Sequence, residues 1–202
     1  MRSDNDPNPL INQPSTDQRL VYGGITWQHF KLIQTGFAES LGVRLSYYND
    51  EIEIIIPGRK HKVFSRVIGF LIELFCLENN IEFDPTGSMT QEREEVSAKA
   101  DESYCFGESK PTPDLVIEVV FNSGSSKKLQ RYQALGVPEL WFWQDGLFSL
   151  YHLRDGFYEQ ISRSKIPELA TLDLDLLTRC VLIAQTSRLE AATTFRNALK
   201  LN

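Results

Sequence analysis

The sequence predicts a single α/β domain, a mixed sheet flanked by helices, from three observations. Apolar residues recur at helical spacing in several segments, as in Trp27, Phe30, Ile33 and Phe37. Runs of β-branched residues, above all Val116, Ile117, Val119 and Val120, have the texture of a buried strand. The 202 residues, 42% of them apolar, lie near the upper range of one core and suffice to fill it.

Residues 1–18, rich in Asn, Asp, Pro and Ser, show almost no apolar periodicity and are expected to form a mobile tail, leaving 19–202 as the folded domain. A helix is predicted from Thr26, a candidate N-cap, to Ser40, with Gly42 as its stop. Val43 to Tyr48 and Glu51 to Ile56 read as an N-terminal hairpin turning at Asn49-Asp50. From His61 to Glu78 apolar residues cover more than half of a helix surface, as expected of a helix lying on a sheet. Arg66 and Glu73 interrupt that segment, and its apolar stretch is too short for a bilayer of roughly 30 Å, so no membrane span is expected. Short strands are predicted at 81–83 and 88–91, and the acidic run Glu92, Glu94, Glu95 reads as a solvated loop.

Asp101 to Phe106 and Asp114 to Val120 bracket a loop with Gly107 and Pro111 and read as an antiparallel hairpin. Asn122 to Ser126 breaks the second strand, and a helix from Ser126 to Leu135 follows. Trp141 and Trp143, alternating with Leu140 and Phe142, belong to a strand and to core packing. Leu147 to Leu153 and Phe157 to Ile161 form a further hairpin around Asp155-Gly156. Helices at Asp173 to Ile183 and Thr186 to Leu199 complete the chain, the last amphipathic and able to pack on its own domain or on a second subunit.

A net charge of −6 argues against a protein that coats nucleic acid without specificity, while leaving room for a local basic cleft. Cys76, Cys105 and Cys180 are odd in number and set in apolar sequence, which suits three reduced, buried thiols and a cytoplasmic location.

Chemistry concentrates between residues 101 and 132. Glu118 stands in the middle of the buried-strand run, where a carboxylate needs a cation: a metal ion or the Lys128 ammonium. Counting outward from the hairpin loop places Asp101 opposite Glu118, close enough for the two to share a divalent ion. Asp114 lies four residues from Glu118 on one strand, about 13 Å away at roughly 3.3 Å per residue, and suits the capping of backbone amides at the strand entrance. Lys128, Tyr132 and Leu135 share one helix side, so Lys128 can reach the strand end. The competing structural reading of the same residues is a metal-free Glu118–Lys128 ion pair. The Ser125-x-x-Lys128 and Gly124-Ser-Ser-Lys-Lys matches lack the companion features of a penicillin-binding site or a phosphate loop.

Five segments together resemble a known family: Lys99 to Tyr104, Pro113 to Val120, Lys128-Leu-x-x-Tyr132, Gly136 to Trp143 and Tyr158 to Ser164. In order and spacing they are similar to the restriction-endonuclease family called domain of unknown function 820, built on the PD-(D/E)xK nuclease fold. The resemblance implies a restriction-endonuclease-like mixed sheet core flanked by helices, with the N-terminal hairpin and C-terminal helices as additions. It implies a DNA endonuclease dependent on Mg2+ or Mn2+, with Asp101 and Glu118 as metal ligands and Lys128 as the third catalytic residue. Two departures stand out. Ala100 replaces the proline before the aspartate, and Val120 occupies the usual lysine position, so the lysine role passes to Lys128 on the helix. Asp114 and Glu73 are additional candidates for the site, Glu73 as a further metal ligand, and His61, amid Arg59, Lys60 and Lys62, is a candidate for facing a phosphate backbone. A homodimer would give two sites for two strands. The competing reading is a non-catalytic member of the fold that binds nucleic acid or protein.

Overall fold

The computed structural model describes residues 14–40, 42–87, 89–121 and 125–200; the expected tail through residue 13 and the strand break at 122–124 lie outside them. In chain order the first elements are β1 (Gln18–Gly23), α1 (Trp27–Gly36), β2 (Arg44–Tyr48), β3 (Glu51–Ile56) and α2 (Arg59–Glu78). Next come β4 (Phe83–Pro85), β5 (Thr90–Arg93), β6 (Val96–Lys99), β7 (Glu102–Phe106), β8 (Leu115–Val120) and α3 (Ser125–Leu135). The chain continues with β9 (Glu139–Gln144), β10 (Leu147–Arg154), β11 (Phe157–Ile161), a short 3-10 turn, α4 (Leu174–Ile183) and α5 (Arg188–Leu199).

The strands form two sheets, of order β1-β3-β2-β6-β5 and β11-β10-β9-β8-β7-β4. The second is mixed, since β8 and β9 run parallel, with α3 as their crossover, and its other pairs are antiparallel. On one face lie α2, α4 and α5, closing a core around Ile68, Leu71, Ile117, Trp141, Leu177 and Phe195. On the other, α3 packs Tyr132 and Leu135 against Val116, Val120, Leu140 and Phe142, and against Val96 and Ala98 of the first sheet. Both faces of the sheet are therefore covered, which is why β8 is buried along its whole length. Trp141 and Trp143 lie in the core, as their alternation predicts.

Local chemistry accounts for the boundaries. Thr26, Asp173 and Ser187 cap α1, α4 and α5 with side-chain oxygens that accept backbone N–H groups. Asn49 and Asp50 both have positive φ, as do Asp155 and Gly156, which suits tight two-residue hairpin turns. Glu139 is fully buried, yet Trp141 Nε1, Ser164 Oγ and the Lys165 N–H all donate to it within 2.8 Å, tying the segment after β11 to the sheet.

Four expectations are corrected. The tail does not extend through residue 18: Asp17 contacts the domain, and Gln18 opens β1, which lies along β3. The first helix ends at Gly36, where the Phe37 N–H closes the last turn. Glu92 belongs to β5, and the acidic run turns at Glu94, φ 53°, into an unforeseen strand, β6, because Gln91, Val96 and Ala98 face inward. The sheet is also not single: the N-terminal hairpin, with β1, β5 and β6, makes its own five-stranded sheet.

Candidate active site

The β7–β8 hairpin fixes the two central acids. Glu102 pairs with Ile117 and Ser103 with Val116, so one step outward Asp101 stands opposite Glu118. Cross-strand Cβ atoms in such a position are about 5 Å apart. The period of two along β8 turns Ile117 and Val119 toward α2, and Val116, Glu118 and Val120 toward α3. Lys128 and Tyr132, four residues apart on one face of α3, then meet Glu118. The Lys128 ammonium pairs with one carboxylate oxygen and the Tyr132 hydroxyl donates to the other. Burial, and then the Glu118 charge, push the Tyr132 phenol well above its ordinary pKa, so it serves as a fixed donor.

Asp101 is only 3% exposed and is held from three sides. Its Oδ2 accepts the Val119 backbone N–H at 2.7 Å, and its Oδ1 lies 2.6 Å from His61 Nε2. Arg44 of β2 forms an ion pair with the same Oδ1. The other ring nitrogen of His61 lies 2.8 Å from Asp17 Oδ2, and Asp17 Oδ1 accepts the Gly58 N–H at 2.8 Å. Burial alone would raise the Asp17 pKa, but the His61 contact and the Gly58 N–H outweigh it and hold it below the ordinary value. Burial draws the Arg44 guanidinium down by more than Glu118 and Tyr132 push it up, and with its ion pair to Asp101 this places Arg44 near both strand acids.

A further acid, Glu53 of β3, holds Arg19 Nε at 2.6 Å and Arg131 Nη2 of α3 at 2.9 Å. Burial pushes Glu53 up, but Arg131, Lys128 and Arg19 prevail and bring it down to about 2. Four carboxylates and their cations thus converge where the two sheets and α3 meet. The sequence left four of these residues unmarked: Asp17, Arg19, Arg44 and Glu53. Glu53 had a signal, because a carboxylate among Ile52, Ile54 and Ile55 faces either water or a partner, and here α3 covers it. Asp17, in a polar stretch, had none.

Asp101, Glu118 and Lys128 come together; the three additional candidates fare differently. His61 is 2% exposed and turned inward to Asp101, so its ring does not face a phosphate backbone. Glu73 lies farther along α2, where it accepts from the Tyr104 hydroxyl at 3.4 Å and stands near Glu102 rather than in the central cluster. Asp114 accepts the Phe106 N–H at 2.8 Å and pairs with Lys110, closing the hairpin loop at the other end of β8.

Asp101 and Glu118 supply hard carboxylate oxygens on neighbouring strands, the donor class that magnesium and manganese take. Among the described residues no three His, Cys, Asp or Glu side chains converge as a ready-made metal cage. The oxygens of the two acids are engaged by Arg44, His61 and Lys128, so a divalent ion held by Asp101 and Glu118 would share or displace these partners.

Residues 27–182 match the family Uma2, described as "Putative restriction endonuclease". No curated protein matches the chain significantly. Among solved structures, the chain is similar to one titled as a "putative nuclease belonging to DUF820" from Anabaena variabilis. The TM-score is 0.52 at 16% identity, over 68% of this chain and 90% of that one. The likeness is one of fold, and it agrees with the restriction-endonuclease-like α/β architecture expected from the five sequence segments.

Proposed function

This chain belongs to the Uma2 family, and from that premise we propose that it is a metal-dependent DNA endonuclease of PD-(D/E)xK type. The observation that carries this reading is Asp101 standing opposite Glu118 on adjacent strands, with the Lys128 ammonium on Glu118. Asp101 and Glu118 would hold Mg2+ or Mn2+, which when bound acidifies water and neutralises phosphoryl oxygens. Lys128 brings a positive charge to the negative charge that grows on the phosphorus oxygens during attack by water. Tyr132 fixes the Glu118 carboxylate, and His61 and the Val119 N–H fix that of Asp101, so both acids are oriented before substrate arrives. His61 acts here as a positioning residue.

The test is incubation of purified protein with plasmid, linear and single-stranded DNA in magnesium or manganese, beside Glu118→Ala and Lys128→Ala. Cleavage lost in both folded variants supports the assignment; no cleavage under any condition rejects it. A second reading has its own support. The site acids are already matched by internal cations, as in a non-catalytic member that binds nucleic acid or protein through another surface.

The location is proposed to be the cytoplasm: Cys76, Cys105 and Cys180 are buried free thiols, and burial pushes the Cys76 thiol up to about 12. No helix among the described residues is long and apolar enough to cross a membrane. A homodimer is also proposed. The helix that suggested it, α5, places Ala191 and Phe195 in its own core, so a dimer would use another surface. Light scattering that gives a monomer at micromolar concentration would overturn it.

A further inference from the structure

A groove of about 720 Å³ runs beside the N-terminal half of α2, walled opposite by the end of α4 and the start of α5. Its floor is apolar, with Val63, Val67, Leu71 and Ala192, and two large side chains stand open at it: Phe70, 48% exposed, and Leu189, 79% exposed. Its rim is cationic. Arg59, Lys62 and Arg66, on one face of α2, and Arg188, at the start of α5, line it, and no carboxylate does. Among the described residues none of the four forms an ion pair, although the chain carries a net charge of −6.

The groove begins at the turn of α2 that also carries His61 of the candidate active site. Arg59 and Lys62 flank His61, whose ring reaches Asp101, and from Arg59 to Leu71 the groove extends about 18 Å along α2 at 1.5 Å per residue. We propose that this groove holds an unpaired DNA strand leading to the cluster of Asp101, Glu118 and Lys128, so that the substrate has a single-stranded portion. The proposal rests on the nuclease reading and names its substrate class. Duplex DNA would offer the rim its phosphates but keep its base faces stacked inside, leaving Phe70 and Leu189 uncovered. A single strand offers both: phosphates for the four cations and flat apolar bases for the floor. A second copy of this chain fits poorly, because an isologous contact across this groove would bring like cations together.

Fluorescence anisotropy with a labelled oligonucleotide, single-stranded or annealed to its complement, tests this on the full chain in EDTA, where no cleavage occurs. The single strand is expected to bind at least about tenfold more tightly than the duplex. Replacing Arg66 and Arg188 together by Ala should weaken single-strand binding about tenfold and flatten its log–log salt slope by about 1.4, or 0.7 for each lost phosphate contact. Phe70→Ala should weaken the single strand and leave the weak duplex binding unchanged. Lys200→Ala, at the C-terminal cap of α5 and away from the groove, should change neither. Equal affinity for duplex, or an unaltered affinity in the Arg66/Arg188 variant that circular dichroism shows to be folded, overturns the proposal. So does a groove variant that changes the oligomeric state instead. Because the readout needs no metal, failure here leaves the cleavage test standing, and absence of cleavage leaves this one standing.

Discussion

His61 Nε2 lies 2.6 Å from Asp101 Oδ1, so the first turn of the long helix α2 is locked to the hairpin that carries both strand acids. The same ring reaches Asp17 at 2.8 Å, and one imidazole therefore serves two carboxylates, one buried and one half-buried. His61→Ala would leave both short of a partner and should cost about 2–4 kcal/mol. Asp17→Asn keeps a similar shape and should cost roughly 1 kcal/mol. Urea unfolding of the two variants measures the difference, and equal midpoints would show that the His61–Asp101 contact contributes little.

Glu118 and Lys128 form a buried pair whose members should not behave independently. Lys128→Met leaves the Glu118 charge with only the Tyr132 hydroxyl and should cost about 3 kcal/mol, as should Glu118→Gln for the converse reason. The double variant should cost less than the sum, with a coupling of about 1–3 kcal/mol in a chemical-denaturation cycle. Additive losses would mean that the two side chains lie close together without stabilising one another.

Tyr132→Phe separates positioning from chemistry. The ring still fills its place between Leu135 and the β8 valines, while one donor to Glu118 disappears, at a cost of about 1–2 kcal/mol. If Tyr132 only orients Glu118, cleavage should fall about tenfold with an unchanged pH profile. An alkaline limb that vanishes in the variant would instead assign the hydroxyl a proton-transfer role.

The register that sets Asp101 opposite Glu118 was legible because it depends on one short hairpin whose loop fixes the count. The reach of Lys128 was legible for a similar reason, as helical spacing is local. What escaped the sequence was non-local. Arg44 meets Asp101 from 57 residues away and Glu53 meets Arg131 from 78, and nothing near either residue announces its partner. His61 was noticed among basic neighbours and assigned outward with them, but a helix separates adjacent residues by about 100°. Thus Lys62 can face the groove while His61 faces the sheet. β6 was hidden because its neighbour across the turn, the run Glu92 to Glu95, looks solvated when read without the α3 face that Val96 and Ala98 cover.

Glu53 gives the fold a defined acid sensitivity. Unfolded, its carboxyl titrates near the ordinary 4.5; folded, Arg131, Lys128 and Arg19 overcome the burial penalty and hold it down to about 2. Between those values the unfolded chain binds the proton more readily, so stability falls as pH drops. The contribution is complete above 4.5 and gone below about 2, and at 1.36 kcal/mol per pH unit it amounts to about 3 kcal/mol. Glu53→Gln should therefore lower stability at neutral pH by about that amount and remove the corresponding slope, with the two proteins converging toward pH 2. Urea unfolding across this range decides it. A variant that keeps the wild-type acid slope would assign the sensitivity to the Asp17–His61 contact, whose carboxyl is also held below its ordinary value and would be protonated over an overlapping range.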